Sequence, residues 1–353
     1  MPCYHPLFGI PDFKPGTTEF YKTESGKPRY RIFKAALVTP EMLQDPYLIQ
    51  VPCGHCIGCR LEYSRQWANR MMLELQYHED SWFVTLTYDD YHVPIAWYTD
   101  DSTGETCPAM TLNKRDWQLF MKRLRKMFPD QRIRFYMAGE YGDHTFRPHF
   151  HAILFGLKLP DGDLTLLQQN ADGFQYFSSK SIDSCWKSQY NGLIKCEGSI
   201  TPLTNSGKVV LARVSWETCA YVARYVTKKL SGPETKLYSD CNISPPFALM
   251  SRKPGIGRQW FDDHPDCYDY EYINISTPTG GRKFRPPRYY DKLFEQEEPE
   301  LSKELKNSRK QAALVATLQK MEKTDKSYFD MLVDSERAQI NRIKGLERRL
   351  EDA

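Results

Sequence analysis

The chain has 353 residues, room for one sizeable folded core with appendages. No run approaches the ~20 apolar residues that cross a bilayer, and Met1-Pro2-Cys3-Tyr4-His5 does not read as a signal peptide. A net charge of +3 is too small to mark a nucleic-acid binder by itself, and ten cysteines without an export signal are expected to stay reduced in a cytoplasm rather than form a disulfide scaffold.

Residues 1–52 are rich in Pro, Gly and Tyr and weakly periodic, and are expected as an extended arm. Cys53-x2-Cys56-x2-Cys59 follows. Three thiolates at this spacing can bind structural Zn²⁺, with Cys3, His5 and His55 as candidates for the fourth ligand. Reduced, metal-free cysteines are the alternative. Leu61, Trp67, Met71 and Leu75 predict a helix over 60–78, and alternation predicts a strand over 82–88. Residues 101–108 read as a loop. Thr111 is expected to cap a helix running to Phe128, with Leu112, Trp117, Phe120 and Leu124 on its apolar side and Pro129 beyond it. The same helix carries Lys114, Arg115, Lys122, Arg123, Arg125 and Lys126.

Arg132–Ala138 predicts a strand closed by Glu140, Tyr141–His144 a short turn, and Arg147–Phe155 a second strand. Strand side chains alternate, so His149 and His151 share a face while Phe150, Ala152 and Leu154 share the other. A hairpin would set Glu140 beside the two histidines. Two imidazoles and one carboxylate leave coordination positions open for phosphate oxygens and suit Mg²⁺ or Mn²⁺. His144 is a weaker candidate ligand. The competing reading is a pair of histidines on a partly exposed strand, without metal.

Residues 157–207 are mixed in texture, with a short helix expected around 182–189. Val209–Val214 predicts a strand leading into a helix capped by Ser215. On that helix Tyr221 and Tyr225 lie one turn apart, and Lys228 continues the stripe. They are candidate nucleophiles with an assisting lysine. A core stripe of Tyr221, Val222, Tyr225 and Val226 is the plainer alternative. Further on, Arg252, Lys253, Arg258, Arg282, Lys283, Arg285 and Arg288 mix with Trp260, Phe284, Tyr289 and Tyr290. Basic groups between aromatics suit single-stranded DNA; a solvated basic surface is the alternative. Residues 291–353 turn charge-rich, with one or two amphipathic helices expected and Ile340, Ile343, Leu346 and Leu350 as an apolar stripe.

In combination these residues resemble the rolling-circle replication initiators of the HUH endonuclease superfamily, and above all those of gokushovirus-type microviruses. Phe83-Val84-Thr85-Leu86-Thr87-Tyr88 looks like that family's first motif. Gly139-Glu140-Tyr141-Gly142 with Arg147-Pro148-His149-Phe150-His151 looks like its metal-binding motif, and Tyr221–Lys229 like its two-tyrosine motif. Pro2-Cys3-Tyr4-His5-Pro6 and the run Cys53–Arg60 are familiar from the same phages, and the likeness spans roughly residues 1–290. It implies metal-dependent nicking of single-stranded origin DNA, a tyrosine joined to the 5′ end, and a second tyrosine that cuts after one circuit and lets the circle close.

The expected fold is α+β, a central antiparallel sheet of the HUH type with helices packed on it. The expected parts are 1–80 (arm, Cys cluster and helix), 81–235 (endonuclease core), 236–290 (basic aromatic DNA contact) and 291–353 (helical tail). No Gly-x4-Gly-Lys-[Ser/Thr] run occurs, so unwinding is expected from a host helicase and synthesis from a host polymerase, in the cytoplasm of a bacterial host and away from membranes. A relaxase or transposase would use the same chemistry. A zinc-stabilised single-stranded DNA-binding protein would explain the cysteines but not the histidine–tyrosine pairing. A nucleotide hydrolase built on a histidine pair lacks its third alternating histidine, since Ile153 stands there.

Overall fold

A computed structural model describes the chain apart from residues 1–2, 25, 27, 144, 172, 190, 193–203, 226–234, 278–279 and 345–353, with residues 40, 204, 205, 225 and 344 described in backbone alone. It divides into two compact units, Met1–Tyr63 with Arg288–Asp352, and Ser64–Pro287.

The second unit is built on a seven-stranded sheet. Its spatial order is Phe247–Met250, Arg134–Tyr141, Pro148–Phe155, Ser81–Thr87, Val209–Arg213, Gln175–Ser179 and Leu164–Gln169. Every neighbouring pair is antiparallel, the α+β architecture expected from the sequence.

One face of this sheet is the main apolar core. Trp82, Val84, Leu86, Met137, Phe150, Ala152 and Leu154 point into it and meet Trp117, Phe120 and Leu124 from the helix Lys114–Met127. Burial of such side chains contributes roughly 1.5–3 kcal/mol each. Asn113, not Thr111, caps the helix: its side chain accepts from Arg115 N at 2.9 Å, while the Thr111 hydroxyl accepts from Ser244 N at 3.0 Å. Gly139 faces the same core, and a Cβ there would meet the Phe150 ring at 3.0 Å. The basic side chains of this helix therefore project from the layer that covers the core face.

The opposite face carries Arg134, Tyr136, Glu140, His149, His151, Phe83 and Thr85, set by register: Glu140 lies opposite His149, and Thr85 opposite His151. Trp67 packs on Tyr136 (ring centroids 5.0 Å apart), and the helix Trp216–Tyr225 lies across the two hairpin strands. At the far end, buried Glu74 accepts from Arg134, from His78 Nε2 (3.1 Å) and from the Gly257 N–H (2.7 Å). Arg134 also donates to the Pro254 and Gly255 carbonyls. This network anchors the start of the strand that carries Glu140.

Burial works to raise the Glu74 carboxyl, but the His78 and Gly257 hydrogen bonds and the Arg134 charge outweigh it and hold it below its ordinary value of 4.5. A depressed folded-state value means that its stabilisation is complete above the unfolded value and is lost as pH falls through the folded one. Wild-type stability, read by urea titration followed by circular dichroism, should therefore decline as pH falls below ~4.5. Glu74→Gln should flatten the profile below pH ~4.5 and cost roughly 3 kcal/mol at neutral pH, read by urea titration.

Three strands of this seven-stranded sheet lay outside the sequence reading. The hairpin Leu164–Gln169 and Gln175–Ser179 forms one sheet edge, and Phe247–Met250 the other. The predicted helix near 182–189 is shorter and earlier, Lys180–Cys185, capped by Ser179 accepting from Ile182 N at 3.1 Å.

In the first unit the N-terminal stretch is more regular than its composition suggested. Leu7–Pro11 forms the middle strand of a three-stranded antiparallel sheet with Tyr30–Lys34 and Ile49–Val51. Phe8, Ala35, Leu48 and Leu332 form its small core. Among the described residues the tail has three helices, Arg288–Glu297, Pro299–Met321 and Tyr328–Lys344, the second of them started by Pro299. Leu346 and Leu350 of the expected stripe lie outside the described residues. No helix among the described residues is long and apolar enough to cross a membrane.

Candidate active site

The hairpin brings Glu140, His149 and His151 together, with their ligand atoms within 4.8 Å of one another. Glu140 Oε1 lies 3.0 Å from His149 Nε2 and 3.1 Å from His151 Nε2. His149 Nδ1 lies 3.0 Å from the Arg147 carbonyl, which only accepts, so Nδ1 carries a proton. In neutral His149 the Nε2 lone pair then points at a carboxylate oxygen. Two lone pairs held this close require a positive charge between or beside them, a proton or a metal ion. His151 Nδ1 lies 2.9 Å from Thr85 Oγ1, so a neutral His151 that donates there presents Nε2 in the same way. Fixing the outer nitrogen is how proteins orient histidine ligands.

Glu140 is 1% exposed. Burial alone would raise its carboxyl, but the hydrogen bonds and charges of His149 and His151 dominate and lower it to about 2. The group is a carboxylate at neutral pH. Two imidazole nitrogens and a carboxylate oxygen on one side of a sheet fit a divalent cation, and these three residues could hold one.

The tyrosine helix starts with a reciprocal cap. Ser215 Oγ accepts from Thr218 N (3.3 Å), and Thr218 Oγ1 accepts from Ser215 N (2.9 Å). Cys219, Val222 and Ala223 are fully buried beneath it. This orientation sends Tyr221 toward the histidines: its hydroxyl lies 3.5 Å from His151 Nε2, and the two ring centroids are 5.1 Å apart. Phe83 steadies both, stacked on His151 at 5.7 Å and edge-on to Tyr221 at 5.8 Å. The Arg224 guanidinium sits 5.4 Å from the centre of the Tyr221 ring. Tyr225, one turn on, is the last described residue of this helix. Lys228, the candidate assisting lysine, and His144, the weaker ligand, lie outside the described residues.

Sequence reasoning assigned no role to Thr85, Phe83 or Arg224. Thr85 and Phe83 could have been found from the first strand, which alternates in step with the histidine strand. Thr85→Val removes the partner of His151 Nδ1 while preserving shape. It should weaken Mn²⁺ binding by roughly 10–100-fold, measured by calorimetric titration.

The basic aromatic region differs from its expected form. Trp260 and Tyr290 are buried and cannot stack on bases. Arg258 pairs with Asp262 at 2.6 Å, Arg285 with Glu271 at 2.5 Å, and Arg282 lies 4.2 Å from the Trp216 ring centre. In the other unit, Cys3 joins Cys53, Cys56 and Cys59 in a second group of metal-ligating atoms, whereas His5 pairs with Glu336 at 2.6 Å.

Comparison with known proteins gives the family. Residues 81–230 match the family described as replication-associated protein ORF2/G2P. Over 308 residues the chain is 31% identical to the replication-associated protein ORF2 of Spiroplasma virus 4, covering 85% of each chain. It is 28% identical over 257 residues to the replication-associated protein VP4 of Bdellovibrio phage phiMH2K, covering 70% of this chain and 69% of that one. It is 24% identical over 299 residues to the replication-associated protein ORF4 of Chlamydia phage 1, covering 80% and 64%. No solved structure matches. The chain belongs to the family of phage replication-associated proteins of the ORF2/G2P type, and its role is in phage DNA replication.

Proposed function

We propose that this protein is a metal-dependent endonuclease and strand transferase of the HUH type that starts rolling-circle replication by nicking single-stranded origin DNA. The observation that carries the reading is the convergence of Glu140, His149, His151 and Tyr221 on one face of the sheet.

Glu140, His149 and His151 would hold Mg²⁺ or Mn²⁺, which when bound draws electron density from the scissile phosphate. The Arg147 carbonyl and the Thr85 hydroxyl keep the two imidazoles in the orientation this needs. Tyr221 is the first nucleophile. A phenol ordinarily loses its proton only near pH ~10, so its oxygen needs help at neutral pH. Arg224, against the Tyr221 ring, favours negative charge on the phenol and on the phosphate it attacks. The Tyr221 oxygen bonds to phosphorus, the bond from phosphorus to the 3′ oxygen breaks, and that oxygen leaves as a hydroxyl with one proton. The 5′ phosphate stays on the tyrosine, and the free 3′ end primes synthesis by a host polymerase behind a host helicase. Tyr225 makes the second cut in the same way, and the strand transfer that follows closes the circle. One phosphodiester is exchanged for another, so no nucleotide is consumed. The setting is the cytoplasm of the infected bacterium, with Lys228 as a further phosphate contact.

The test is incubation of the full-length protein with single-stranded phage origin DNA and Mn²⁺. The expected product is a covalent protein–DNA adduct that survives denaturation and is lost when EDTA is present from the start. Retarded but uncut DNA would favour a non-catalytic single-stranded DNA-binding protein. Equal cutting of unrelated transfer-origin or transposon-end DNA would favour a relaxase or transposase.

A further inference from the structure

We propose that Cys3, Cys53, Cys56 and Cys59 together bind one Zn²⁺ in a closed tetrahedral site, independent of the site described above. The four sulfurs lie within 4.8 Å of one another, and all four cysteines are free of disulfides. Cys3 Sγ and Cys56 Sγ are 3.8 Å apart. A Zn–S bond of about 2.3 Å gives a tetrahedron with edges of about 3.8 Å, whereas a disulfide needs about 2.05 Å.

The backbone is arranged for thiolates. Cys53 N donates to Cys3 Sγ (3.2 Å), His55 N and Cys56 N donate to Cys53 Sγ (3.4 and 3.3 Å), and Tyr4 N donates to Cys56 Sγ (3.3 Å). Gly54 has φ +81, and this left-handed turn lets two successive N–H groups aim at one sulfur. Cys59 lies in the first turn of the helix that begins at Ile57, where unpaired N–H groups favour negative charge.

The fold explains how a residue at position 3 reaches the cluster. Leu7 pairs with Val51 and Gly9 with Ile49 in the antiparallel N-terminal sheet. Continuing that register past the strand ends brings position 3 opposite position 55, within the Cys53–Cys56 turn. The ion would thus staple the open end of the strand pair, in a unit whose apolar core is small. Four sulfur donors leave no open coordination position, so the site is structural.

The test is elemental analysis of the full-length protein, purified without added chelator. One zinc per chain is expected. It should fall to near zero in Cys3→Ser and Cys56→Ser, persist in Cys3→His, which can still ligate, and remain unchanged in Glu140→Gln. For wild-type protein, whose folding is not in question, an organomercurial thiol reagent should release one zinc. Co²⁺ put in its place should show intense sulfur-to-cobalt charge-transfer absorption. Iron in place of zinc, no bound metal, zinc retained in both serine variants, or a disulfide among the four in protein kept reduced would each overturn the assignment.

Discussion

Tyr221→Phe lowers the rate of the first nick on a single-stranded origin oligonucleotide by roughly 10⁴-fold or more, the scale on which loss of an enzyme nucleophile acts. The change removes one oxygen. It leaves the ring against Phe83 and His151, so folding and DNA affinity should hold. Tyr225→Phe should leave that first nick close to wild type, because Tyr221 is the tyrosine whose hydroxyl lies 3.5 Å from His151 Nε2. It should instead block release of closed circles after one round, leaving adduct to accumulate. With both tyrosines replaced, no adduct should form. Nicking by Tyr221→Phe at the wild-type rate, with Tyr225→Phe inactive, would reverse the assignment of first and second nucleophile.

Glu140→Gln should be nearly as severe. It keeps the volume of a fully enclosed side chain but removes the charge that both histidines face. Cation binding should weaken strongly, and nicking at fixed Mn²⁺ should fall by about 10³-fold, several kcal/mol of lost charge stabilisation. Raising Mn²⁺ should recover part of the rate in Glu140→Gln and none in the double tyrosine variant. That contrast separates a ligand defect from a nucleophile defect. Unchanged Mn²⁺ affinity in Glu140→Gln, measured by calorimetry, would remove the carboxylate from the metal site.

The central hairpin was legible because two independent patterns agree there. His149 and His151 alternate with Phe150, Ala152 and Leu154, and the only turn-like residues between them and Glu140 permit a tight reversal. Register then does the rest, setting Glu140 opposite His149. Tyr221 was legible as one of a pair on a helix face, but periodicity does not say which layer a helix joins. The same limit applies to the basic helix Lys114–Met127, whose charges share a face in sequence yet whose apolar side covers the sheet face opposite the histidines. The edge strands were missed for a different reason. Leu164–Gln169 breaks alternation with adjacent leucines, two of them exposed, and Phe247–Met250 is only four residues long. Trp260 and Tyr290 show that aromatics between basic residues often serve packing. The fourth member of the cysteine group stayed open among Cys3, His5 and His55, since nothing local links position 3 to position 53. Only strand pairing does.

The most direct test of the central claim is to digest the covalent adduct with protease and nuclease and to map the nucleotide-bearing peptide by tandem mass spectrometry. A nucleotide 5′ phosphate on Tyr221, shifting to Tyr225 only when the second cut is allowed, is the predicted result. A phosphate carried by any residue outside that helix, or cleavage that leaves no protein-linked end, would contradict it.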